Sequence, residues 1–270
     1  MPEGPEVKKT TDGLREFFLN EEITALDFGS GRYAKKEPIG YSSFCEELPK
    51  LVTAVGCKGK FIYFVFADGS SMWNTLGMTG WWSETAGYHP RAALYVNDDK
   101  HMVYNDMRNF GTFKFVSTYD ELKKKLNSLG PDLLSEDVSL DVFKKSLTKG
   151  KRAEKPISQL LMDQSVVSGI GNYLKAEILY SCKISPHRLC RDISDDEFES
   201  LLYASRSIMK LSYSTGGATI RNYKDTTGKN GMYTRRFAVY NQKSDLLGNE
   251  VVRERTADKR TTHWVPSIQR

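Results

Sequence analysis

The spacing of apolar residues predicts a helix at the start of the chain. Val7, Leu14, Phe17 and Phe18 recur at helical intervals, which indicates a helix that begins near Pro5 and buries one face. The residues before it would then lie at the N-terminal end of that helix, where the helix dipole favours carboxylates and lowers the proton affinity of a nearby amine.

The pattern changes between Ile23 and about Val116. Runs of β-branched and aromatic residues such as KFIYFVF and HMVYND alternate with turn sequences such as ADGSS and NDDK. DG and NDD between such runs predict hairpins. We expect a β-sandwich or barrel with the first helix packed against it.

Helical periodicity returns beyond Tyr119, in the segments ELKKKLNSL, LDVFKKSL, SQLLMD, NYLKAEILY and DDEFESLLYASRSIMKL. From Ser214 a long polar loop precedes the alternating runs FAVY, NEVV and THWVP, which favour a small hairpin. The chain is therefore predicted to be α+β. The expected divisions are a β-sandwich (1–118), a linker (119–131), a helical domain (132–232) and a terminal hairpin (233–270).

Composition and charge narrow the class of protein. A chain of 270 residues with 39% hydrophobic residues can build real cores, and a net charge of +5 permits a polyanionic partner without requiring one. No two of the four cysteines have C-x₂-C spacing, and the longest strongly apolar run, FIYFVF, is too short to span a bilayer. No signal peptide is recognisable, so we expect an intracellular, soluble protein.

The opening MPEGPE holds the first candidate chemistry. Removal of Met1 would leave Pro2 as a free secondary amine beside Glu3 and Glu6, which places a nucleophile next to an acid. An α-amino group titrates near 7.7 to 8.0, well below lysine, so far more of it is unprotonated at neutral pH. The alternative is that Pro2 has no function. Chains that begin with Met-Pro are frequent by chance, and the initiator methionine is commonly removed before proline.

A second candidate lies in QSVVSGIGNYLKAEILY. Gly169 and Gly171 allow a tight turn, and the helix that follows points free N–H groups at its N-terminal end, where phosphate is the obvious ligand. Asn172 either caps this helix or reaches a phosphate. A lone G-x-G-N is weak evidence, because many helix–turn–helix connections need glycine.

Further candidates lie in the β-rich half. Met78 in LGMTG and Arg108 with Phe110 in DMRNFG lie where strands give way to loops, and such side chains can enter a base stack. Packing in the core is the alternative for an isolated Met or Phe. Lys60 is either a phosphate contact or an ordinary surface lysine, and His89 is a weaker candidate.

The order of MPEGPE, LGMTG, DMRNFG, LMDQ, GIGN, EILY and RTTHWVP along nearly the whole chain resembles the formamidopyrimidine-DNA glycosylase and endonuclease VIII family. The resemblance implies an N-terminal β-sandwich, a domain with a helix-two-turn-helix motif, and DNA bound in the cleft between them. It also implies that Pro2 attacks the anomeric carbon of the sugar and forms a Schiff base. Glu3 would act as acid and base at the ring oxygen, and Glu6 would support both.

The resemblance assigns the other candidates to DNA. Lys60 corresponds to a lysine that contacts phosphate near the lesion, and Asn172 to the asparagine of a phosphate-binding turn that includes the two glycines. The residues that fill the space left by the flipped nucleotide are implied to be Met78, Arg108 and Phe110. His89 aligns loosely with a phosphate-contacting histidine.

The C-terminus departs from the family pattern. Most bacterial relatives end in a four-cysteine zinc finger with an arginine at its tip, whereas no cysteine follows Cys190 here. We therefore expect no metal and a zincless finger that carries Arg260. The expected catalytic set is Pro2, Glu3, Glu6, Lys60 and Arg260. Apolar packing would replace the metal, with Val239, Val251, Val252 and Trp264 as the expected residues.

The resemblance implies a monomeric glycosylase and lyase of base excision repair that acts on damaged DNA without a cofactor and works where DNA is, in a nucleus or nucleoid. Gly4 favours the branch that removes oxidised pyrimidines and hydantoins, although plant members of the oxidised-purine branch share it. The segment from Ser214 to Met232 lies where the purine branch covers the flipped base. The alternatives are an inactive damaged-DNA-binding protein of this fold, an oxidised-purine glycosylase, and a helix-hairpin-helix DNA-binding module with an unrelated β-domain.

Overall fold

The chain divides into two compact units. A computed structural model describes residues 2–97, 99–220 and 223–270. The first unit comprises residues 1–127 and 216–232, and the second comprises residues 128–215 and 233–270.

Helix α1 (Gly4–Phe18) opens the first unit, as the apolar spacing predicted. Glu3 is its N-cap and Pro5 lies in its first turn, where a missing N–H costs nothing. Val7, Leu14 and Phe18 are buried on one face. Burial of side chains of this size stabilises the fold by about 1.5–3 kcal/mol each, so this face holds the helix on the unit.

Two antiparallel sheets form the body of the first unit. The larger sheet has the order β1 (Glu22–Ile23), β3 (Lys50–Lys58), β4 (Phe61–Phe66), β5 (Ser71–Thr75), β9 (Thr112–Val116). The smaller sheet has the order β2 (Ala25–Asp27), β7 (Pro90–Tyr95), β8 (His101–Asp106), β6 (Gly80–Ser83). Two short helices, α2 (Tyr41–Glu46) and α3 (Tyr119–Asn127), also belong to this unit.

One apolar core lies between the sheets. Phe64 and Met72 from the larger sheet and Trp82 and Leu94 from the smaller sheet are fully buried in the same cluster. Phe18 of α1 joins them, with its ring centroid 5.6 Å from that of Phe64. The unit is therefore a β-sandwich with the leading helix packed into its core, which confirms the predicted fold.

The second unit is helical and ends in a hairpin. Its helices are α4 (Leu140–Thr148), α5 (Ile157–Met162), α6 (Asn172–Ser181) and α7 (Asp195–Ser214). Ser194 caps α7, and Glu197 bonds back to the Ser194 N–H at 2.8 Å. The hairpin pairs β10 (Val252–Arg255) with β11 (Thr261–Trp264) in antiparallel register.

Two segments belong to the first unit although the sequence predicted them outside the β-sandwich domain. Residues 119–127, expected as a linker, form α3 in the first unit, where Leu122 is fully buried. Residues 216–232, expected in the helical domain, also belong to the first unit. They do so because the Ala218 N–H and the Tyr223 hydroxyl donate to Glu6 of α1.

Two details of the hairpin region differ from the prediction. FAVY is not a strand, because the N–H groups of residues 238–240 donate to the Glu177 carboxylate instead of to a neighbouring strand. The buried core of the finger is formed by Ala176, Val239, Val251 and Val265. Val252 and Trp264 were also expected in this core. They lie instead in the strands β10 and β11, outside the buried cluster, and are half-buried.

Candidate catalytic and nucleic-acid site

Two carboxylates lie at the N-terminus of α1, directly after Pro2. Glu3 and Glu6 are 2% and 0% exposed, and Pro2 is also buried. One oxygen of Glu6 accepts the Glu3 N–H at 2.7 Å, and its other oxygen accepts the Ala218 N–H at 2.7 Å. Glu6 is therefore held on both oxygens and fixes the backbone from which Glu3 and Pro2 extend.

The segment from residue 216 to 232 is fastened to the same turn of α1. The Tyr223 hydroxyl donates to the Glu6 carbonyl at 3.3 Å. Burial, and then the negative charge of Glu6, raise the pKa of Tyr223 well above its usual value, so the phenol stays a donor. Within this segment, Arg221 and Asn222 lie outside the described residues.

Lys60 and His89 lie at strand ends of the first unit. Lys60 is half-buried in the turn between β3 and β4, and β3 is tied to α1 by the bond from Arg15 Nε to the Val55 carbonyl at 2.8 Å. His89 is exposed just before β7, and its carbonyl accepts the Asp106 N–H at 3.0 Å. His89 also lines an open cavity of about 440 Å³ together with Lys224.

The side chains of Met78, Arg108 and Phe110 lie in contact in the first unit. Arg108 Nη1 lies 3.1 Å from the Met78 sulfur, and the Arg108 guanidinium carbon is 4.6 Å from the centroid of the Phe110 ring. Arg108 and Phe110 are exposed and Met78 is half-buried. An exposed cluster of thioether, guanidinium and phenyl ring is suited to replace a base in a stack.

A buried acid that the sequence analysis missed supports this cluster. Asp106 lies at the end of β8 and is 1% exposed. One of its carboxylate oxygens accepts a hydrogen bond from the Thr79 hydroxyl, and the other accepts one from the Gly111 N–H at 2.7 Å. The Thr79 hydroxyl in turn accepts the Arg108 N–H at 2.9 Å. The loop of residues 107–111 is therefore fixed at both ends by one carboxylate. The only sequence signal is a charged residue at the end of an apolar strand.

The predicted phosphate-binding turn lies in the second unit. Gly169 has a φ of +94° and donates its N–H to Gln164 Oε1 at 2.9 Å, so the glycine turn is present as expected. Gly171 is the N-cap of α6, and Asn172 is the first helical residue. The Asn172 side-chain nitrogen donates to the Thr261 carbonyl at 2.9 Å. Asn172 therefore bridges the turn to the residue next to Arg260.

Arg260 ends the turn between β10 and β11 and is half-buried. Its N–H donates to Asp258 Oδ1 at 3.2 Å, and its carbonyl accepts the Thr256 N–H at 3.1 Å. Both polar groups of its backbone are thus engaged, and the hairpin tip on which it lies has a defined conformation.

Two further residues of α6 that the sequence analysis passed over hold the finger. Lys175 is completely buried and forms an ion pair with Asp258, whose side chain is 3% exposed. Glu177 accepts the consecutive N–H groups of residues 238–240 at 2.8–3.0 Å. Burial raises the pKa of Glu177 against the opposing effect of these hydrogen bonds. The signal in the sequence was a pair of charges inside the apolar run NYLKAEILY.

Residues 2–97, 99–220 and 223–270 contain neither a membrane-spanning helix nor a metal-ligating cluster. No helix there is long and apolar enough to cross a membrane. In the same part of the chain, no group of three or more His, Cys, Asp or Glu side chains could hold a metal ion.

Comparison with known proteins gives matches along the whole chain. Three family models match: the formamidopyrimidine-DNA glycosylase N-terminal domain at residues 1–113, its H2TH domain at 129–224, and its C-terminal domain at 232–270. The formamidopyrimidine-DNA glycosylase of Oceanobacillus iheyensis is 30% identical over 283 residues, covering 100% of this chain and 98% of the relative. That of Legionella pneumophila is 30% identical over 249 residues, covering 90% and 89%.

Solved structures agree with the sequence matches. The crystal structure of MutM (Fpg) from Thermus thermophilus is similar with a TM-score of 0.86 and 29% identity, covering 99% of this chain and 98% of that one. An Fpg mutant of Lactococcus lactis in complex with DNA containing Fapy-dG has a TM-score of 0.86 and 25% identity over 100% of both chains. The chain therefore belongs to the formamidopyrimidine-DNA glycosylase family, a family of DNA glycosylase/AP lyase enzymes of base excision repair.

Proposed function

We propose that this chain is a bifunctional DNA glycosylase/AP lyase that removes oxidised bases, with Pro2 as its nucleophile after removal of Met1. The observation that carries the proposal is the buried pair of carboxylates at the start of α1. Glu6 holds the backbone of Glu3 through the 2.7 Å bond, and Glu3 directly follows Pro2. Removal of Met1 would therefore place a secondary amine next to a desolvated carboxyl group.

The proposed reaction begins with attack of the Pro2 nitrogen on C1′ of the damaged nucleotide. The bond from C1′ to the base breaks as the bond from C1′ to nitrogen forms, and the departing base takes up the proton that the Pro2 nitrogen loses. Glu3 gives a proton to the ring oxygen, and the sugar opens to an iminium ion. Loss of a C2′ proton expels the 3′ phosphate, and loss of the C4′ proton from the resulting unsaturated iminium expels the 5′ phosphate. Water then hydrolyses the iminium and restores Pro2.

The other proposed roles concern the DNA. Lys60 and Arg260 bind phosphates near the lesion, and the turn with Gly169, Gly171 and Asn172 binds a backbone phosphate through N–H groups. The cluster of Met78, Arg108 and Phe110 occupies the space of the flipped nucleotide, and His89 makes an outer phosphate contact. The exposure of Arg108 and Phe110 supports this, since a core role would bury them.

Two lesion classes are candidates. Gly4 favours oxidised pyrimidines and hydantoins. Oxidised purines are favoured by the relatives, which carry the formamidopyrimidine name, and by solved neighbours bound to DNA with Fapy-dG or carbocyclic 8-oxo-G. We propose the pyrimidine and hydantoin preference, and the trapping experiment below ranks both classes.

The test is borohydride trapping on oligonucleotides that carry thymine glycol, a hydantoin, 8-oxoguanine or an abasic site, with the adduct located by mass spectrometry. We expect the adduct on Pro2. Glu3→Gln should slow excision by about 10²–10⁴-fold with little change in affinity, because it removes the general acid. Pro2→Gly should slow imine formation.

The matched control is Glu16→Gln, which changes an exposed carboxylate of the same helix and should leave all rates unchanged. An adduct on another residue, or equal excision rates in the wild type and both active-site variants, would refute the mechanism. Binding of lesion DNA by protein that lacks Met1 yet yields no adduct would favour the damaged-DNA-binding alternative.

A further inference from the structure

Lys175 is a fully buried lysine in the middle of α6, and its ammonium group faces the tip of the terminal hairpin. It forms an ion pair with Asp258 and donates to the Thr262 hydroxyl at 2.7 Å. A buried lysine is costly unless its charge is compensated, so the side chain is held in place by these acceptors. The contact joins the helix that begins at Asn172 to the turn that ends at Arg260.

Asp258 links Lys175 to the backbone of Arg260. One of its oxygens pairs with Lys175, and the other accepts the Thr256 hydroxyl at 2.6 Å and the Arg260 N–H at 3.2 Å. The Thr256 and Thr262 hydroxyl groups lie 2.6 Å apart and close the network. Since the Arg260 carbonyl is bonded to the Thr256 N–H, the whole tip is fixed to a single carboxylate.

Stability alone does not explain this arrangement. A buried ion pair contributes no more than a well-packed apolar pair of the same size, because desolvation of both charges offsets their attraction. The neighbouring contacts of the finger are apolar, with Val239, Val251 and Val265 packed on Ala176 of the same helix. An ion pair, unlike an apolar contact, fixes the orientation of the groups that form it. Here it fixes the Asp258 carboxylate, which also accepts the Arg260 N–H.

We propose that Lys175 is a positioning residue for Arg260, which it orients through Asp258 so that the guanidinium meets a phosphate of the bound DNA. This inference rests on the proposed function of Arg260 in DNA binding. Lys175 itself contacts no substrate, because its side chain is completely buried.

The test is a double-mutant cycle between Lys175→Met and Arg260→Ala, read as affinity for a duplex with a non-cleavable abasic-site analogue. Arg260→Ala should weaken binding by about 10–100-fold, the effect of a charged hydrogen bond. Lys175→Met should weaken it by at least about fivefold in the wild type but by less than about twofold in the Arg260→Ala background, since residues that act through one another are not additive. Lys210→Met, at an exposed lysine of α7, is the matched control and should not change affinity.

A second variant separates positioning from folding, because Lys175→Met alone leaves a buried unpaired carboxylate. In Lys175→Met/Asp258→Asn no charge remains at this contact, so the protein should fold, yet the ion pair to α6 is lost and binding should weaken as in Lys175→Met. Wild-type affinity in this variant, or an equal effect of Lys175→Met with and without Arg260, would overturn the inference.

Hydrogen exchange of the Arg260 amide tests the inference without DNA. In Lys175→Met/Asp258→Asn this amide should exchange at least about tenfold faster, because local opening of the tip becomes easier. If the wild-type protein binds no DNA, the proposed function fails while this measurement still decides the role of Lys175. Unchanged protection of the Arg260 amide would refute the positioning role alone.

Discussion

Removal of the Asp106 carboxylate should destabilise the loop of residues 107–111, which carries Arg108 and Phe110. In Asp106→Ala the Gly111 N–H and the Thr79 hydroxyl lose their acceptor, and the site is 1% exposed, so water cannot easily replace it. Asp106→Asn is a milder change. Its amide oxygen can accept from Gly111, and its nitrogen can donate to the Thr79 oxygen.

The expected magnitude follows from the hydrogen bonds of Gly111 and Thr79, because the third donor to Asp106, the Tyr104 hydroxyl at 3.5 Å, keeps its bond to the Leu76 carbonyl at 3.2 Å. A buried donor left without a partner costs about 1–3 kcal/mol, and two donors lose theirs in Asp106→Ala. We therefore expect the free energy of unfolding of the first unit to fall by about 2–6 kcal/mol. Asp106→Asn keeps the Gly111 bond without its charge assistance and reverses the Thr79 bond, so the Thr79 hydroxyl proton loses its acceptor and the expected loss is about 1–3 kcal/mol. Asp27→Ala, at an exposed position of β2, should change it by less than about 0.5 kcal/mol.

Urea unfolding followed by tryptophan fluorescence measures this quantity in the first unit. Trp73, Trp81 and Trp82 lie in that unit, and Trp264 lies in the second, so a Trp264→Phe background isolates the signal. Equal stability of the Asp106→Ala variant and the Asp27→Ala control would refute the reasoning. So would an Asp106→Asn variant that is less stable than Asp106→Ala.

Two other predictions concern the second unit and the segment fastened to α1. Burial, followed by the charges of Arg253 and Lys175, lowers the pKa of His263 from 6.5 to about 4. The unfolded chain therefore binds a proton that the folded chain does not, and this group should lower the free energy of unfolding by at most about 3 kcal/mol as the pH drops from 6.5 to 4. Urea titrations at several pH values should show this contribution as the difference in slope between the wild type and His263→Phe, because the carboxylates titrate in both proteins. A Cβ at Gly13 would lie 2.0 Å from the Thr226 hydroxyl oxygen, so Gly13→Ala should speed amide exchange in residues 223–232 despite its better helix propensity, and Thr226→Gly should restore protection.

Local patterns were sufficient for most of the elements. The spacing of Val7, Leu14 and Phe18 predicted α1, and alternation bounded by Asp68 and Gly69 predicted the hairpin of β4 and β5. In these cases the apolar period and the turn chemistry agree with the fold. FAVY failed because its N–H groups are bound by Glu177, a residue about 60 positions earlier, and no local pattern contains that contact.

The candidate site was found through resemblance, and its supporting groups were not. Pro2, Glu3 and Asn172 lie in recognisable motifs, whereas Asp106 and Lys175 act through partners that only the fold brings near. Asp106 is an acid at the end of a strand and Lys175 a cation in an apolar helix, and both are common features of unrelated proteins. What distinguishes them is nearly complete burial together with several donors or acceptors, which only the folded chain creates.

Helix α6 shows how a finger without cysteines after Cys190 can keep an arginine in place. Apolar packing is non-directional, so the cluster around Val239 and Val265 holds the hairpin against the helix without fixing the direction of its tip. Hydrogen bonds and ion pairs supply that direction: Asn172 binds the Thr261 carbonyl and Lys175 binds Asp258. Both contacts flank Arg260 in the chain, and both begin on the helix that carries the glycine turn at its N-terminus. The two phosphate-binding groups proposed for the second unit are therefore built on one rigid element, so a change in Lys175 should alter the position of Arg260 and leave the glycine turn in place.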